Sequence, residues 1–190
     1  MTDAARKRDE RIRAFVALEL EARAREAIGS LQARFRGASG LRLVRPEGVH
    51  LTLRFLGSSA PAQLEALAPR LAAAAEACPP FEARLAGLGT FPERGAPGVL
   101  WLGVELPPPA LELQRACERA ARASGFAEEG RAFAPHLTLG RWRERAKRPA
   151  LERVELGPTR IDRLVLFRSE TRSEGAVYTP LRRFPLGARG

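Results

Sequence analysis

The chain has 190 residues, with 32 Lys and Arg against 22 Asp and Glu, a formal net charge of +10 and a pI near 11.2. That length suits one domain or two intimate lobes, and no apolar run approaches the ~20 residues that a membrane-spanning helix needs. Its two cysteines, Cys78 and Cys117, both fall on predicted helices and read as buried thiols rather than a disulfide. Together with the absence of a secretory signal, this places the expected chain in the cytoplasm, as a monomer without a membrane partner.

In chain order, residues 1–11 (MTDAARKRDER) are charged with no apolar segment behind them and read as a flexible tail. AFVALEL at 14–20 has the composition of a strand. Ala24, Ile28, Leu31 and Phe35 then recur at helical spacing. In VHLTLRFL, Val49, Leu51, Leu53 and Phe55 alternate with His50, Thr52 and Arg54, which is the period of a half-buried strand. PAQLEALAPRLAAAAEAC at 61–78 is an amphipathic helix with Leu64, Leu67 and Leu71 on one face. FEARLAGLGTF at 81–91 reads as a strand or strand pair, and LWLGVEL at 100–106 as another strand. Leu113, Cys117 and Ala120 mark a further helix, with Gly125 as its terminator. HLTLGRW from His136 repeats the strand pattern behind Pro135, a residue tolerated at a strand start. Residues 143–153 form a charged loop or short helix, and 160–170 and 176–186 make a closing hairpin around TRSEG.

The organising feature is a repeat. The chain has two histidines, and both open the tetrapeptide His-Leu-Thr-Leu, 86 residues apart. By chance the same three residues would follow a second histidine about once in a thousand times or less. The same shift lays Phe15 on Trp101 and Leu18–Leu20 on Val104–Leu106, so each half reads strand, helix, motif strand. The expected organisation is one α+β domain over 12–187, built from a repeat of about 13–92 and 98–170 and a closing strand at 176–186.

An imidazole and a hydroxyl two residues apart on one strand face make a rigid polar pair. Two such pairs across a cleft suit general acid–base chemistry, because an imidazole with a pKa near 6.5 serves in either protonation state near neutrality. One histidine takes a proton from water while the other gives one to a leaving oxygen, and the threonines hold the free oxygens of a phosphate between them. Zinc would want three or four ligands, and neither histidine has a Cys, Asp or Glu at ligand spacing. With no P-loop and no dinucleotide-binding fingerprint, neither metal nor cofactor is expected. Only with a phosphate in view does the basic charge gain meaning, since phosphate neutralisation drives association with nucleic acid.

The positions around the motifs admit two readings each. Regular alternation puts Arg54 on the face of His50 and Thr52, as either a phosphate contact or a solvated arginine. The same alternation puts Arg141 on the wrong face unless Gly140 permits a bulge that re-aims it. Phe15 and Trp101 either stack a base or pack in the core. Tyr178 has no role that its neighbours define.

The two His-x-Thr-x motifs, at His50–Leu53 and His136–Leu139, resemble the signature of the 2H phosphoesterase superfamily. Within it, RAFVALEL, HLTLRFLG, VLWLGVEL, FAPHLTLGR and YTPLRRFPL occur in the order of the RNA 2′,3′-cyclic phosphodiesterases, also called 2′-5′ RNA ligases, over residues 12–187. The resemblance implies a bilobal fold with two antiparallel sheets related by a pseudo-twofold axis, helices outside and a cleft between the motif strands. It implies hydrolysis of a 2′,3′-cyclic phosphate at an RNA end, tRNA fragments among the candidates, to a 2′-phosphate without ATP. By motif, His50 would be the proton donor, His136 the proton acceptor, and Thr52 and Thr138 the phosphate contacts. Competing readings are 2′-5′ ligation, opening of a small cyclic nucleotide, and a non-enzymatic module that binds RNA ends.

Overall fold

A computed structural model describes residues 11–172 and 175–187; residues 1–10, 173–174 and 188–190 lie outside it, and with them most of the expected tail and part of the expected TRSEG turn. Nine strands and three helices follow in order. The first half contains β1 (Ile12–Glu19), α1 (Ala22–Ala33), β2 (Leu41–Leu43), β3 (His50–Ser59), α2 (Pro61–Glu76) and β4 (Phe81–Phe91). The second contains β5 (Val99–Glu105), α3 (Pro108–Ala123), β6 (His136–Trp142), β7 (Glu155–Ile161), β8 (Arg163–Arg172) and β9 (Gly175–Pro185). The helices bury the faces that their periodicity marks: Ala24, Ile28 and Leu31 in α1, Leu64, Leu67 and Leu71 in α2, and Leu113, Cys117 and Ala120 in α3. Gly125 follows α3 with a φ of 82°, the left-handed geometry that ends a helix cheaply.

Every strand pairing is antiparallel, in the order β7-β4-β5-β6-β3-β1-β8-β9, with β2 added alongside β6. The two expected sheets are the halves of this order, and a single residue pair, Leu51 with Leu137, joins them. A pseudo-twofold axis between β3 and β6 relates β1 to β5, β8 to β4 and β9 to β7. The expected α+β bilobal architecture is therefore present, as one curled sheet hinged at the motif strands.

The halves are interleaved. Helix α1, from the first repeat, lies against the second lobe: Gln32 donates to the Leu139 carbonyl at 2.9 Å, and Glu21 accepts from Thr159 and the Arg160 N–H on β7. Helix α3, from the second repeat, reaches back to β3, where Gln114 donates to the Leu53 carbonyl at 3.5 Å. Strand β4 belongs to the second lobe and β8–β9 to the first. Sequence repeat and spatial lobe thus have different boundaries.

Two local expectations need revision, and one open choice is decided. The strand expected over 160–170 breaks at Asp162 into the end of β7 and β8, and the chain changes lobe there. Of the two forms expected for residues 143–153, a loop or a short helix, the chain takes the loop. Trp101 is not the counterpart of Phe15: it pairs with Thr138 as Ala17 pairs with Thr52, a slide of two residues. A two-residue slide keeps every side chain on its own face, so periodicity cannot detect it.

Candidate active site

The site begins with two leucines per strand. Leu51, Leu53, Leu137 and Leu139 are at most 4% exposed and hold β3 and β6 against the core, so His50, Thr52, His136 and Thr138 stand half-buried on the opposite face. Burying one leucine side chain contributes roughly 1.5–3 kcal/mol, so the faces cannot exchange. Continuing the antiparallel register from Leu51–Leu137 sets His50 beside Thr138 and Thr52 beside His136. Two motifs far apart in the chain become one square of imidazoles and hydroxyls.

Both imidazoles are held alike. Nδ1 of His50 bonds the Gly48 carbonyl, and Nδ1 of His136 the Ala134 carbonyl, each at 2.8 Å. A carbonyl only accepts, so Nδ1 carries the proton in both rings and Nε2 is the nitrogen that gains or loses one. These carbonyls take the orienting place that a carboxylate often fills. Glu19, opposite His50 in the β1–β3 ladder, is engaged by Arg183 at 3.3 Å.

Their surroundings differ. His50 stacks on Phe15 with ring centroids 4.6 Å apart, Phe15 stacks on Phe167 at 5.2 Å, and Tyr178 meets His50 edge-on at 4.9 Å. Burial in this aromatic box pushes the His50 imidazole down to about 4; the Gly48 carbonyl opposes the shift, and the charges of His136 and Arg141 add to it. Burial likewise raises the Tyr178 phenol, against the pull of Arg141 and Arg13. Among the described residues His136 has one aromatic contact, Phe91 edge-on at 5.1 Å, and Phe91 leans on Trp101 at 5.4 Å. Trp101 lies across Gly89, where a Cβ would come within 2.0 Å of its ring. Only glycine leaves room for that indole.

A bulge in each motif strand decides which neighbours face the cleft. Between β5 and β6 the register skips Leu139, so Gly140 turns inward and Arg141 comes out on the His136 face, the re-aiming that Gly140 was expected to allow. A Cβ at Gly140 would meet Leu41 at 2.9 Å and the Arg42 carbonyl at 3.0 Å. Between β1 and β3 the register skips Leu53, and the equivalent residue is Arg54. Arg54 therefore does not share the face of His50 and Thr52. It is 6% exposed, ion-paired with Glu118 on α3 and, at 3.7 Å, with Glu129, and it donates to the Phe55 and Ala127 carbonyls. Phe55 takes the cleft face instead and is 54% exposed.

The four motif residues singled out in the sequence thus lie together, and the walls around them were left open. Phe15, at 3% exposure, is a floor beneath His50 and not a platform for a base. Trp101 neighbours Thr138 on the cleft face, half-buried. Tyr178 acquires a place as the wall of His50, and Phe55, Phe91 and Phe167 were missed. Only the YTPL segment hinted at Tyr178; the others look like ordinary strand aromatics. Cys78 and Cys117 are free buried thiols, as expected, and burial pushes Cys117 up to about 12. Among the described residues, no three His, Cys, Asp or Glu side chains gather to hold a metal ion, and no helix is long and apolar enough to cross a membrane.

The chain is similar to several known proteins over most of its length. A protein of Methanothermobacter thermautotrophicus named RNA 2′,3′-cyclic phosphodiesterase is 32% identical over 184 residues, covering 93% of this chain and all of its own length. A Thermus thermophilus protein of the same name is 35% identical over 189 residues, covering 92% of this chain and 90% of its own. A third, from Geobacillus stearothermophilus, is 35% identical over 90% of this chain, but the match spans only 56% of that longer protein. The crystal structure of a Thermus thermophilus protein, TT0787, superposes with a TM-score of 0.84 at 31% identity, over 94% of this chain and 100% of that one. The structure of E. coli LigT complexed with 3′-AMP does so with a TM-score of 0.81 at 28% identity, over 93% and 99%. The sequence profile of the 2′-5′ RNA ligase superfamily matches residues 18–172, most of the chain, and the protein belongs to that superfamily.

Proposed function

We propose that this protein hydrolyses 2′,3′-cyclic phosphates at RNA ends to 2′-phosphates, by two-histidine acid–base catalysis that needs neither metal nor ATP. The observation that carries this reading is the matched pair of imidazoles, each with Nδ1 pinned to a carbonyl at 2.8 Å and each beside a threonine. The names of the relatives support the substrate class.

In this reading Thr52 and Thr138 hold the non-bridging oxygens. Nε2 of His136 takes a proton from water as its oxygen attacks phosphorus. The P–O3′ bond breaks, and Nε2–H of His50 protonates the departing O3′. The phosphate stays on O2′, and proton exchange with solvent resets both rings. A 5′-hydroxyl in place of water would give a 2′-5′ linkage by the same steps.

One observation favours a second reading with the roles exchanged. Burial holds the free His50 ring neutral at pH 7, the state of a base. For His50 to be the donor, the incoming phosphate must raise its proton affinity, as an adjacent anion does.

The test incubates the protein, in EDTA, with an oligoribonucleotide ending in a 2′,3′-cyclic phosphate. A 2′-phosphate product is expected. A 3′-phosphate product overturns the geometry, and loss of turnover restored by a divalent ion overturns metal independence. A 3′-phosphorothiolate leaving group needs little protonation, so it rescues whichever histidine variant lacks the donor. Rescue of His50→Ala is expected; rescue of His136→Ala exchanges the roles.

A further inference from the structure

A near-twofold site has a problem of direction. The cyclic phosphate of a ribonucleotide is itself nearly twofold about phosphorus: O2′ lies on the side of the base, and O3′ on the side of the upstream chain. Turned end for end between two matched His–Thr pairs, it would offer the wrong ester oxygen to the acid. The choice must come from residues where the two halves differ.

Positions 55 and 141 are equivalent by the repeat. Both reach the cleft face because a bulge turns the preceding residue inward, yet one is an apolar ring and the other a cation. Phe55 is one of two large apolar side chains that are exposed among the described residues. Its ring lies 6.2 Å from Phe15, so it extends the row of rings Phe167–Phe15 out to the cleft rim. Along the antiparallel pair, residues beyond Thr52 on β3 run toward the His136 end of the square. Residues beyond Thr138 on β6 run toward the His50 end. Phe55 therefore marks the His136 end. Arg141 marks the other, where its charge acts on both His50 and Tyr178; it pairs with no carboxylate among the described residues.

We propose that Phe55 and Arg141 set the polarity of bound RNA: Phe55 stacks the base of the terminal nucleotide, and Arg141 takes the phosphodiester just upstream. Bases stack on aromatic side chains with little sequence preference, and arginine is a strong phosphate partner. With the base over Phe55, O2′ points toward His136 and O3′ toward His50. That orientation releases O3′ and leaves the phosphate on O2′. The inference rests on the function proposed above and adds the source of its regiochemistry.

Two oligonucleotides test it, identical except that the nucleotide bearing the cyclic phosphate has a base in one and is abasic in the other. Phe55→Ala should lower kcat/KM on the first by about 5- to 150-fold, the range for a lost base stack, and should let 3′-phosphate appear in the product. On the abasic end, Phe55→Ala and the wild-type protein should match, both giving mixed products, and Phe55→Trp should restore rate and product on the first. Arg141→Gln should lose more on the oligonucleotide than on a mononucleoside 2′,3′-cyclic phosphate, which has no upstream phosphodiester. Equal loss by Phe55→Ala on both ends overturns the role of Phe55, and equal loss by Arg141→Gln on both substrates overturns that of Arg141. If the wild-type protein turns over neither, the proposed function falls and this inference with it. If it turns over both ends equally with a single product, the function stands and the polarity pair is overturned.

Discussion

His50 and His136 share a tetrapeptide, a strand geometry and a carbonyl anchor at 2.8 Å, yet they live in different surroundings. Phe15, Phe167 and Tyr178 box in the first; among the described residues the second meets the ring of Phe91 alone. The repeated residues build the shared geometry, whereas the unrepeated ones set the electrostatics. A duplicated motif can therefore place two imidazoles in different surroundings without changing a letter of itself.

The strongest way to break the comparison is to remove each ring in turn. His50→Ala and His136→Ala should each cost about 10²–10⁴-fold in turnover, the usual range for a general acid or base, with kcat on a cyclic-phosphate oligonucleotide as the readout. A variant that keeps near-normal turnover would mean that one half of the square is ornamental.

The bulges offer a second contrast, read in stability. Arg54 fills the position that Gly140 fills in the other lobe, and its charge faces the half-buried Glu118. Arg54→Met leaves that carboxylate without its partner and should cost about 3 kcal/mol by urea unfolding. Arg54→Met with Glu118→Gln should recover most of the loss. Gly140→Val, which drives a side chain against Leu41 and the Arg42 carbonyl, should destabilise by a comparable ~1–3 kcal/mol with no such rescue.

A third prediction uses pH. The native His50 ring protonates only near pH 4, whereas the unfolded one does so near 6.5. Between these values the unfolded chain binds the extra proton, so stability rises with pH across this window. The contribution is full above about pH 6.5, declines as pH falls, and is gone below about 4. Over that span it amounts to at most about 3 kcal/mol. Urea midpoints of the wild-type protein and His50→Gln, compared between pH 7 and 4.5, should converge at the lower pH. A constant gap would place the His50 shift elsewhere. The acid limb of kcat/KM should also fall near pH 4, as a property of the coupled pair.

The smallest effect sharpens the account of the box. Tyr178→Ala opens one wall and should move His50 upward toward its ordinary value, while Tyr178→Phe should leave it in place. With two histidines in the chain, NMR titration resolves each ring, and His136→Asn assigns them. No movement in Tyr178→Ala would leave burial against Phe15 as the whole cause.

The motif square was legible in the sequence because alternation and repetition are local signals. His50, Thr52, His136 and Thr138 follow from period two alone, and the leucines between them identify the buried face. The walls were not legible, for three physical reasons. A bulge shifts side chains by one, so Arg54 exchanged faces with Phe55 and Arg141 came outward. A two-residue slide leaves the pattern intact, so Trp101 lined up with Phe15 by count. Phe91, Phe167 and Tyr178 reach the cleft through pairings with distant strands, which no window of sequence contains.

The interleaving of the halves has a consequence for how such a protein is assembled. Helix α1 settles on strands made more than a hundred residues later, and β3 waits for α3 before Arg54 finds Glu118. Neither half emerging from a ribosome has its own lid, so an early half-chain should remain unfinished until its complement arrives. Contacts this distant in sequence slow folding. Expressed apart as 1–94 and 95–190, each fragment should stay largely unstructured, and mixing the two should restore the fold by mutual exchange of helices. An ancestral duplication that began as two self-sufficient copies would have lost that independence once the helices crossed.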